Sequence, residues 1–188
     1  MHKPLVGTKI AVLVANGFEE KHFINVQRHF LEMGASLKIV STNQGLVNGW
    51  DGTSWGHNFA VDAQLNTALG VDYMGLIIPG GARSIEKLKT TAHTRRFIGS
   101  FMAAQKTVAV MDDALNLMAF SEQLDGTTVS GNDAMREMAV QAGATWNEGT
   151  MMTDGSLLTG MCDADNMDAY IEMMKDVFMN NMGMDQAA

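Results

Sequence analysis

The chain has 188 residues, a formal net charge of −8 and 46% hydrophobic residues, which suits one domain with a sizeable core. The acidic balance disfavours nucleic acid as a partner, and no apolar run approaches the roughly 18 residues of a membrane span. We therefore expect a single domain over residues 1–188, with its core at about 9–178, and neither a nucleic-acid nor a membrane partner.

The chain has one cysteine, Cys162, so no intrachain disulfide can form. Its first nine residues, MHKPLVGTK, lack the apolar stretch of a signal peptide. On both grounds we expect a cytoplasmic protein.

Apolar strands and helices alternate from the start of the chain. Residues 9–15 form an unbroken apolar run, which is typical of a strand buried on both faces of a parallel sheet. Residues 19–33 predict a helix that opens on two glutamates and closes before Gly34. Residues 36–41 predict a second strand, so the chain begins with a βαβ-like unit.

The next segment, residues 43–62, is rich in glycine and predicts a small hairpin lying over the sheet. Its large apolar side chains are expected to be buried: Trp50, Trp55, Phe59 and Val61. Residues 64–69 predict a short helix, and residues 73–78 predict a third buried strand.

The second half of the chain continues this alternation. Its predicted elements are a helical stretch at 84–105 broken near Thr90-Thr91, a buried strand at 107–111, a helix at 114–120, a strand at 127–130, a helix at 133–142, a hairpin at 150–160 turning through Asp154-Gly155, and a closing helix at 165–182. The pattern predicts an α/β three-layer sandwich with a mostly parallel sheet.

Three segments that suit a functional site come directly after predicted strands. They are residues 16–19, the pair Gly80-Gly81 and the pair Asp112-Asp113. Because parallel strands end at the same edge of a sheet, where open α/β proteins bind ligands, we expect these segments to lie close together.

Together these motifs resemble the ThiJ/PfpI superfamily, and the resemblance covers roughly residues 9–178. The family motif A-(D/N)-G-F-E-(D/E) is matched by Ala15-Asn16-Gly17-Phe18-Glu19-Glu20, and (I/V)-(I/L)-P-G-G by Ile77-Ile78-Pro79-Gly80-Gly81. Residues 106–111 match the strand that leads to the family's K-P-V-A-x-I-C-H-G-P elbow. The resemblance implies a class I glutamine amidotransferase-like, flavodoxin-like fold and a homodimer.

At the elbow itself the sequence departs from the family. Asp112 falls on the nucleophilic cysteine and Asp113 on the neighbouring histidine. A carboxylate is a much weaker nucleophile than a thiolate toward amides, and it cannot perform sulfur oxidation chemistry. The family's peptidase, deglycase, glyoxalase and peroxide-sensing activities are therefore not expected, and the chain is interpreted as a divergent member that lacks the nucleophilic cysteine.

Glu19 matches the acidic residue that approaches the family's nucleophile. Two carboxyls held close together cannot both ionise freely, so we expect Glu19 and Asp112 to share a proton. Three interpretations stay open: a vestigial or small-ligand-binding pocket in a structural or regulatory protein, a hydrolase, lyase or hydratase that uses this pair, or a hard cation held with Asp113. The missing cysteine and histidine favour the first interpretation.

Other candidate residues carry weaker signals. The resemblance implies that Gly80-Gly81 lends a backbone amide to an oxyanion hole, which would suit a carboxylate or carbonyl ligand, although a tight turn is an equal alternative. Cys162 follows the last hairpin, as a displaced thiol or a buried inert one. His57 lies at a pocket mouth or, more simply, on the surface. No cofactor is expected, and no ligand spacing predicts a structural zinc site.

Overall fold

A seven-stranded sheet forms the centre of the molecule, and the computed structural model describes residues 2–187. The strands, in chain order, are β1 (Lys9–Val14), β2 (Phe18–Glu19), β3 (Ser36–Ser41), β4 (Leu46–Trp50), β5 (Trp55–Ala60), β6 (Ala63–Gln64), β7 (Gly75–Ile78), β8 (Thr107–Met111), β9 (Thr128–Val129), β10 (Thr145–Trp146), β11 (Met151–Asp154) and β12 (Leu157–Gly160). The helices are α1 (Glu20–Glu32), α2 (Ala82–Leu88), α3 (Ala92–Ala103), α4 (Leu115–Phe120), α5 (Arg136–Gln141) and α6 (Met167–Ala187).

The strand order in the main sheet is β11-β12-β8-β7-β1-β3-β6. Every neighbouring pair is parallel except β11 with β12, which form the predicted antiparallel hairpin at one edge. Helices cover both faces of this sheet, so the prediction of an α/β sandwich with a mostly parallel sheet is confirmed. Two smaller sheets, β9-β10 and β2-β4-β5, lie outside it.

Each central strand contributes side chains to two separate cores. Along β1, Ile10 and Val12 pack with the aromatic residues of α1 and α6, whereas Ala11 and Leu13 pack on the opposite face with α2 and α3. Successive side chains of a strand point to opposite faces, so a strand covered on both sides must be apolar throughout. This is why the central strands read as unbroken apolar runs.

The expected helix at 64–69 is wrong. Ala63 and Gln64 form β6 instead, in parallel pairing with Val40 and Ser41 of β3. The Gln64 side chain donates to the Asn43 carbonyl at 2.8 Å, and a turn follows. An open edge of the sheet offers backbone partners that a short isolated helix lacks, and the edge pairing therefore prevails.

The hairpin predicted at 43–62 is confirmed as β4 and β5, but the expected burial of Trp55 is wrong because 52% of that residue is exposed. The Trp50 and Trp55 rings meet edge to face at 5.5 Å. The Arg83 guanidinium lies 4.1 Å from the centre of the Trp50 ring. A cation over an aromatic face replaces the apolar cover that the sequence led us to expect.

The helical stretch after Gly81 breaks where predicted. The Thr91 hydroxyl accepts a hydrogen bond from the His93 amide at 3.2 Å and so begins α3 as a separate helix. The remaining predicted elements are present with shifted ends, and 3₁₀ turns at Asp112–Ala114 and Asp133–Met135 precede α4 and α5. Within residues 2–187, no helix is both long enough and apolar enough to cross a bilayer.

A buried tyrosine ties the last helix to the strand that precedes Asp112. Tyr170 of α6 is 0% exposed, and its hydroxyl donates to the Val110 carbonyl at 2.6 Å. That carbonyl lies in β8, two residues before the elbow. The bond therefore fixes the end of β8 against the helix layer.

We predict that Tyr170→Phe destabilises the protein by about 1–2 kcal/mol, because the ring stays in place while the Val110 carbonyl loses its donor. Urea denaturation followed by circular dichroism measures this change. Tyr73→Phe is the matched control, since Tyr73 packs its ring on Phe97 and no hydrogen bond of its hydroxyl is found in the described part of the chain. Equal stability of wild type and Tyr170→Phe would contradict the prediction.

Candidate functional site

The segments that follow β1, β8 and β12 line one cavity of about 610 Å³. These three parallel strands belong to the main sheet and end at the same edge. The cavity is lined by five carboxylates, one lysine, one buried histidine and the cysteine: Glu19, Asp112, Asp113, Asp163, Asp168, Lys21, His22 and Cys162. The Gly80-Gly81 turn does not line the cavity but binds two residues of its wall, His22 and Asp113, so the three strand-end segments do lie close together as predicted.

A second cavity, of about 710 Å³, lies at the opposite edge of the sheet, where Lys9 and Thr107 begin their strands. Ligands of open α/β sheets bind at the carboxyl ends of the strands. Three carboxyls with raised pKa values, those of Glu19, Asp112 and Asp113, also lie at that end. We therefore place the functional site at the smaller cavity.

Asp112 stands on a strained backbone. Its φ is +53°, a left-handed conformation that few residues other than glycine adopt without cost. It is the first residue after β8 and opens the 3₁₀ turn that leads into α4. A sharp strand-to-helix turn of this kind presents its first side chain to the cavity, and it is the geometry that α/β enzymes use for a nucleophile.

Asp113 is bound to the glycine turn after β7. Its Oδ1 accepts a hydrogen bond from the Gly81 amide at 2.9 Å. A side chain at Gly80 would collide with this carboxyl and with the His22 ring, so only glycine fits there. Gly81 has φ +124°, which also favours glycine. Gly80-Gly81 therefore forms a tight turn, and the backbone amides of both glycines already have hydrogen-bond partners within the chain.

His22 is a site residue that sequence reasoning missed. It is 5% exposed, and its Nδ1 accepts a hydrogen bond from the Gly80 amide at 3.0 Å. Burial lowers the pKa of His22 to about 4, and the Cys162 carbonyl only partly offsets this effect, so the ring is neutral at pH 7. One signal was available, since His22, Val26 and Phe30 follow one another at i+4 on the apolar face of α1.

The carboxyls of Glu19, Asp112 and Asp113 all have raised pKa values. Burial, then repulsion from Asp113 and Asp112, raises the pKa of Glu19. Burial and then Asp113 raise the pKa of Asp112, which the Cys162 amide partly lowers. For Asp113, burial outweighs the lowering by the Gly81 amide. Asp112 is a lesser cause of the Glu19 shift after burial and Asp113, and Glu19 is not among the causes of the Asp112 shift, so the Glu19–Asp112 pair with its shared proton stays a prediction.

Cys162 lines the cavity but is only 2% exposed. Burial, and next the charge of Asp112, raises the pKa of its thiol well above the ordinary value. The thiolate is the reactive form of cysteine, so this environment suppresses nucleophilic reactivity. The geometry favours the buried, inert interpretation of Cys162 over the displaced thiol.

No group of three or more histidine, cysteine, aspartate or glutamate side chains within residues 2–187 has the arrangement to hold a metal ion.

His57 lies on the surface, with 80% of its side chain exposed, and it does not line the cavity. Its ring and its backbone amide both bind the carboxylate of Glu20, which is 4% exposed at the start of α1. The bond to Glu20 raises the pKa of His57. Gly49 and Gly56 leave room for this carboxylate, so the pair holds the β4-β5 hairpin on α1.

We predict that Asp112→Asn stabilises the protein by about 0.5–1 kcal/mol at neutral pH, because it removes repulsion at a half-exposed site while asparagine still tolerates positive φ. A carboxyl whose pKa is raised by folding stabilises the fold fully below its ordinary value of 3.8, and that contribution is lost as pH rises through the folded value. The gain should therefore vanish in acid. Urea denaturation across pH measures it, with the exposed Asp176→Asn as control.

For Cys162 we expect a thiol reagent such as 5,5′-dithiobis(2-nitrobenzoate) to react at least about tenfold more slowly with the native protein than with the urea-unfolded chain, because the thiol is buried and protonated. The release of coloured thiolate measures both rates. A native rate as fast as the unfolded one would revive the displaced-nucleophile interpretation.

Comparison with curated proteins finds relatives over most of the chain. General stress protein 18 of Bacillus subtilis is 29% identical over 140 residues, which cover 74% of this chain and 79% of that protein. A protein of Pyrococcus horikoshii named a deglycase is 21% identical over 170 residues, covering 89% of this chain and 99% of its own.

Solved structures share the fold. Drosophila melanogaster DJ-1beta superposes with a TM-score of 0.77 at 15% identity, covering 96% of this chain and 98% of its own. A two-domain protein of Anabaena variabilis with DJ-1/ThiJ/PfpI-like and ferritin-like domains has a TM-score of 0.81 at 20% identity. That match covers 94% of this chain and 48% of the two-domain protein, so this chain spans about half its length.

The model of the DJ-1/PfpI family matches residues 8–178. This range contains every residue named as lining the cavity and nearly coincides with the range of the resemblance drawn from the motifs. The chain therefore belongs to the DJ-1/PfpI family.

Proposed function

We propose that this DJ-1/PfpI protein works without thiol chemistry and that its strand-end cavity binds a small ligand. The observation that carries the proposal is the residue at the elbow, a half-buried aspartate in a left-handed backbone conformation. The single cysteine is buried beside it with a raised thiol pKa. Both features support recognition or carboxylate chemistry over attack by sulfur.

The charge of the cavity limits the ligand class. Five carboxylates line its wall against Lys21 as the single lysine, and His22 is neutral. After burial, repulsion from neighbouring aspartates contributes to the raised pKa values of Glu19 and Asp112. A cation would relieve that repulsion and an anion would increase it. We therefore favour a small amine or an uncharged, hydroxyl-rich molecule, bound through carboxylate hydrogen bonds.

An enzymatic role is the second candidate, as a hydrolase, lyase or hydratase. Its support is the raised pKa of both Glu19 and Asp112, because a carboxyl that holds its proton to higher pH can donate it in general acid catalysis. The turn geometry of Asp112 also suits a nucleophile. Relatives are named a stress protein and deglycases. We do not extend deglycase activity to this chain, since a carboxylate stands at the elbow.

Two further parts of the proposal come from the family resemblance and the single cysteine. They are a homodimer and a cytoplasmic location.

A binding and activity screen tests both candidates. We expect small amines or polyols, not carboxylates, to perturb cavity resonances in the ¹⁵N spectrum, and Asp112→Asn to weaken amine binding at least about tenfold through loss of a charged hydrogen bond. In parallel, hydrolysis and hydration of a small-molecule panel are assayed on both proteins.

The outcomes separate the candidates. Turnover that falls by roughly 100-fold or more in Asp112→Asn establishes the enzyme, whereas turnover equal in both proteins excludes a catalytic Asp112. Asp176→Asn, on the exposed side of α6, removes the same charge away from the cavity and should match wild type. Preferential binding of carboxylates to wild type would contradict the proposed ligand class.

A further inference from the structure

We propose that Asp113 is an internal anion that occupies the amide of the Gly80-Gly81 turn and thereby excludes anionic ligands from the cavity. Asp113 is in this view a specificity-determining residue. The inference deepens the proposed function and rests on its placement of the ligand site at the strand-end cavity.

The turn after β7 holds two successive backbone amides, and side chains of the same chain bind both. The Gly81 amide donates to Asp113 Oδ1 at 2.9 Å. The Gly80 amide donates to Nδ1 of His22 at 3.0 Å. Successive amides at a strand end are a common anion-binding arrangement. Here a carboxylate of the protein stands where an external carboxylate would bind.

The turn is held in place by contacts that do not involve Asp113. The Glu19 amide donates to the Gly80 carbonyl at 2.8 Å. Gly81 packs directly on the backbone of Gly17, Phe18 and Glu19, where even a methyl group would collide. Loss of the Asp113 carboxyl therefore leaves the Gly81 amide in its present position, with its donor free.

The negative charge of Asp113 and the volume that its carboxyl fills also act against an anionic ligand at this turn. The Asp113 carboxyl fills the volume above Gly80, which a side chain there would otherwise occupy. An incoming carboxylate would have to displace it and would also meet Glu19 and Asp112 on the cavity wall. Removal of Asp113 frees one donor, opens this volume and removes one negative charge. The change should convert an anion-excluding turn into an anion-binding one.

Acetate is the probe, titrated into ¹⁵N-labelled protein while the Gly81 amide is observed by NMR. We expect no saturable shift in wild type and a saturable shift in Asp113→Ala, with acetate affinity higher by roughly tenfold or more, as for a regained hydrogen bond to a charged group. Acetate should also raise the melting temperature of Asp113→Ala and not that of wild type.

Two variants distinguish the occupation of the Gly81 amide by the Asp113 side chain from the negative charge that this side chain adds to the cavity. Asp113→Asn keeps an acceptor oxygen of the same shape on the Gly81 amide, so acetate should not bind there. Asp112→Asn removes one charge from the same cavity without uncovering that amide, and acetate should again not bind. Acetate binding to Asp112→Asn equal to that of Asp113→Ala would show that charge alone excludes anions and would overturn the proposal. Saturable binding to wild type, or none to a folded Asp113→Ala, would do the same.

A measurement on the unmodified protein covers the case in which Asp113→Ala does not fold. The Gly81 amide proton of wild type should titrate with the same midpoint as the Asp113 carboxyl, because the two share a hydrogen bond. An amide that does not respond to that ionisation would refute the proposal.

Failure of this inference and failure of the proposed function are distinguishable. If wild type binds amines or polyols but Asp113→Ala gains no acetate site, only the proposed role of Asp113 is refuted. If Asp113→Ala gains the acetate site while no amine or polyol binds wild type, the proposed ligand class is refuted and the proposed role of Asp113 is supported.

Discussion

The parallel pairing of four adjacent strands is the constraint on which the rest of the site depends. The carboxyl ends of these strands lie at one edge, so the segments after β1, β8 and β12 line a single cavity, and the Gly80-Gly81 turn after β7 binds its wall residues His22 and Asp113. The hydrogen bond from the Tyr170 hydroxyl to the Val110 carbonyl fixes the end of strand β8 to the helix layer. Asp112 can then be held at a positive φ, because the buried strand before it and the helix after it leave the backbone little freedom.

The electrostatics of the cavity follow from the burial of several carboxyls with Lys21 as the one lysine on the wall. Glu19, Asp112 and Asp113 have raised pKa values, and burial is the largest cause for each. A histidine near three carboxyls would ordinarily be charged, yet His22 stays neutral because burial lowers its pKa to about 4. It acts instead as an acceptor for the Gly80 amide. The protein thus stabilises its glycine turn with neutral and anionic groups of its own and leaves the cavity negative.

The environment of Cys162 suppresses the reactivity of its thiol. A thiol needs an accessible, electropositive position to ionise, whereas this one lies in a nearly closed position beside Asp112. Burial, and next the negative charge of Asp112 on the cavity wall, raise the pKa of the thiol and keep it protonated. Thiol chemistry would need the opposite environment, so the residues at this edge of the sheet do not favour it.

The sequence by itself determined the layered fold and the composition of the site edge. Apolar runs such as residues 107–111 require cover on both faces, and Gly80-Gly81 and Asp112-Asp113 follow such strands directly. Only the tertiary structure decided that His22 is buried, that Asp113 binds the Gly81 amide, that 64–69 is not helical and that Trp55 is exposed. These features depend on contacts between residues far apart in the chain. Local patterns report which faces are apolar, whereas the partner of a given polar group is set by which loops the sheet brings together.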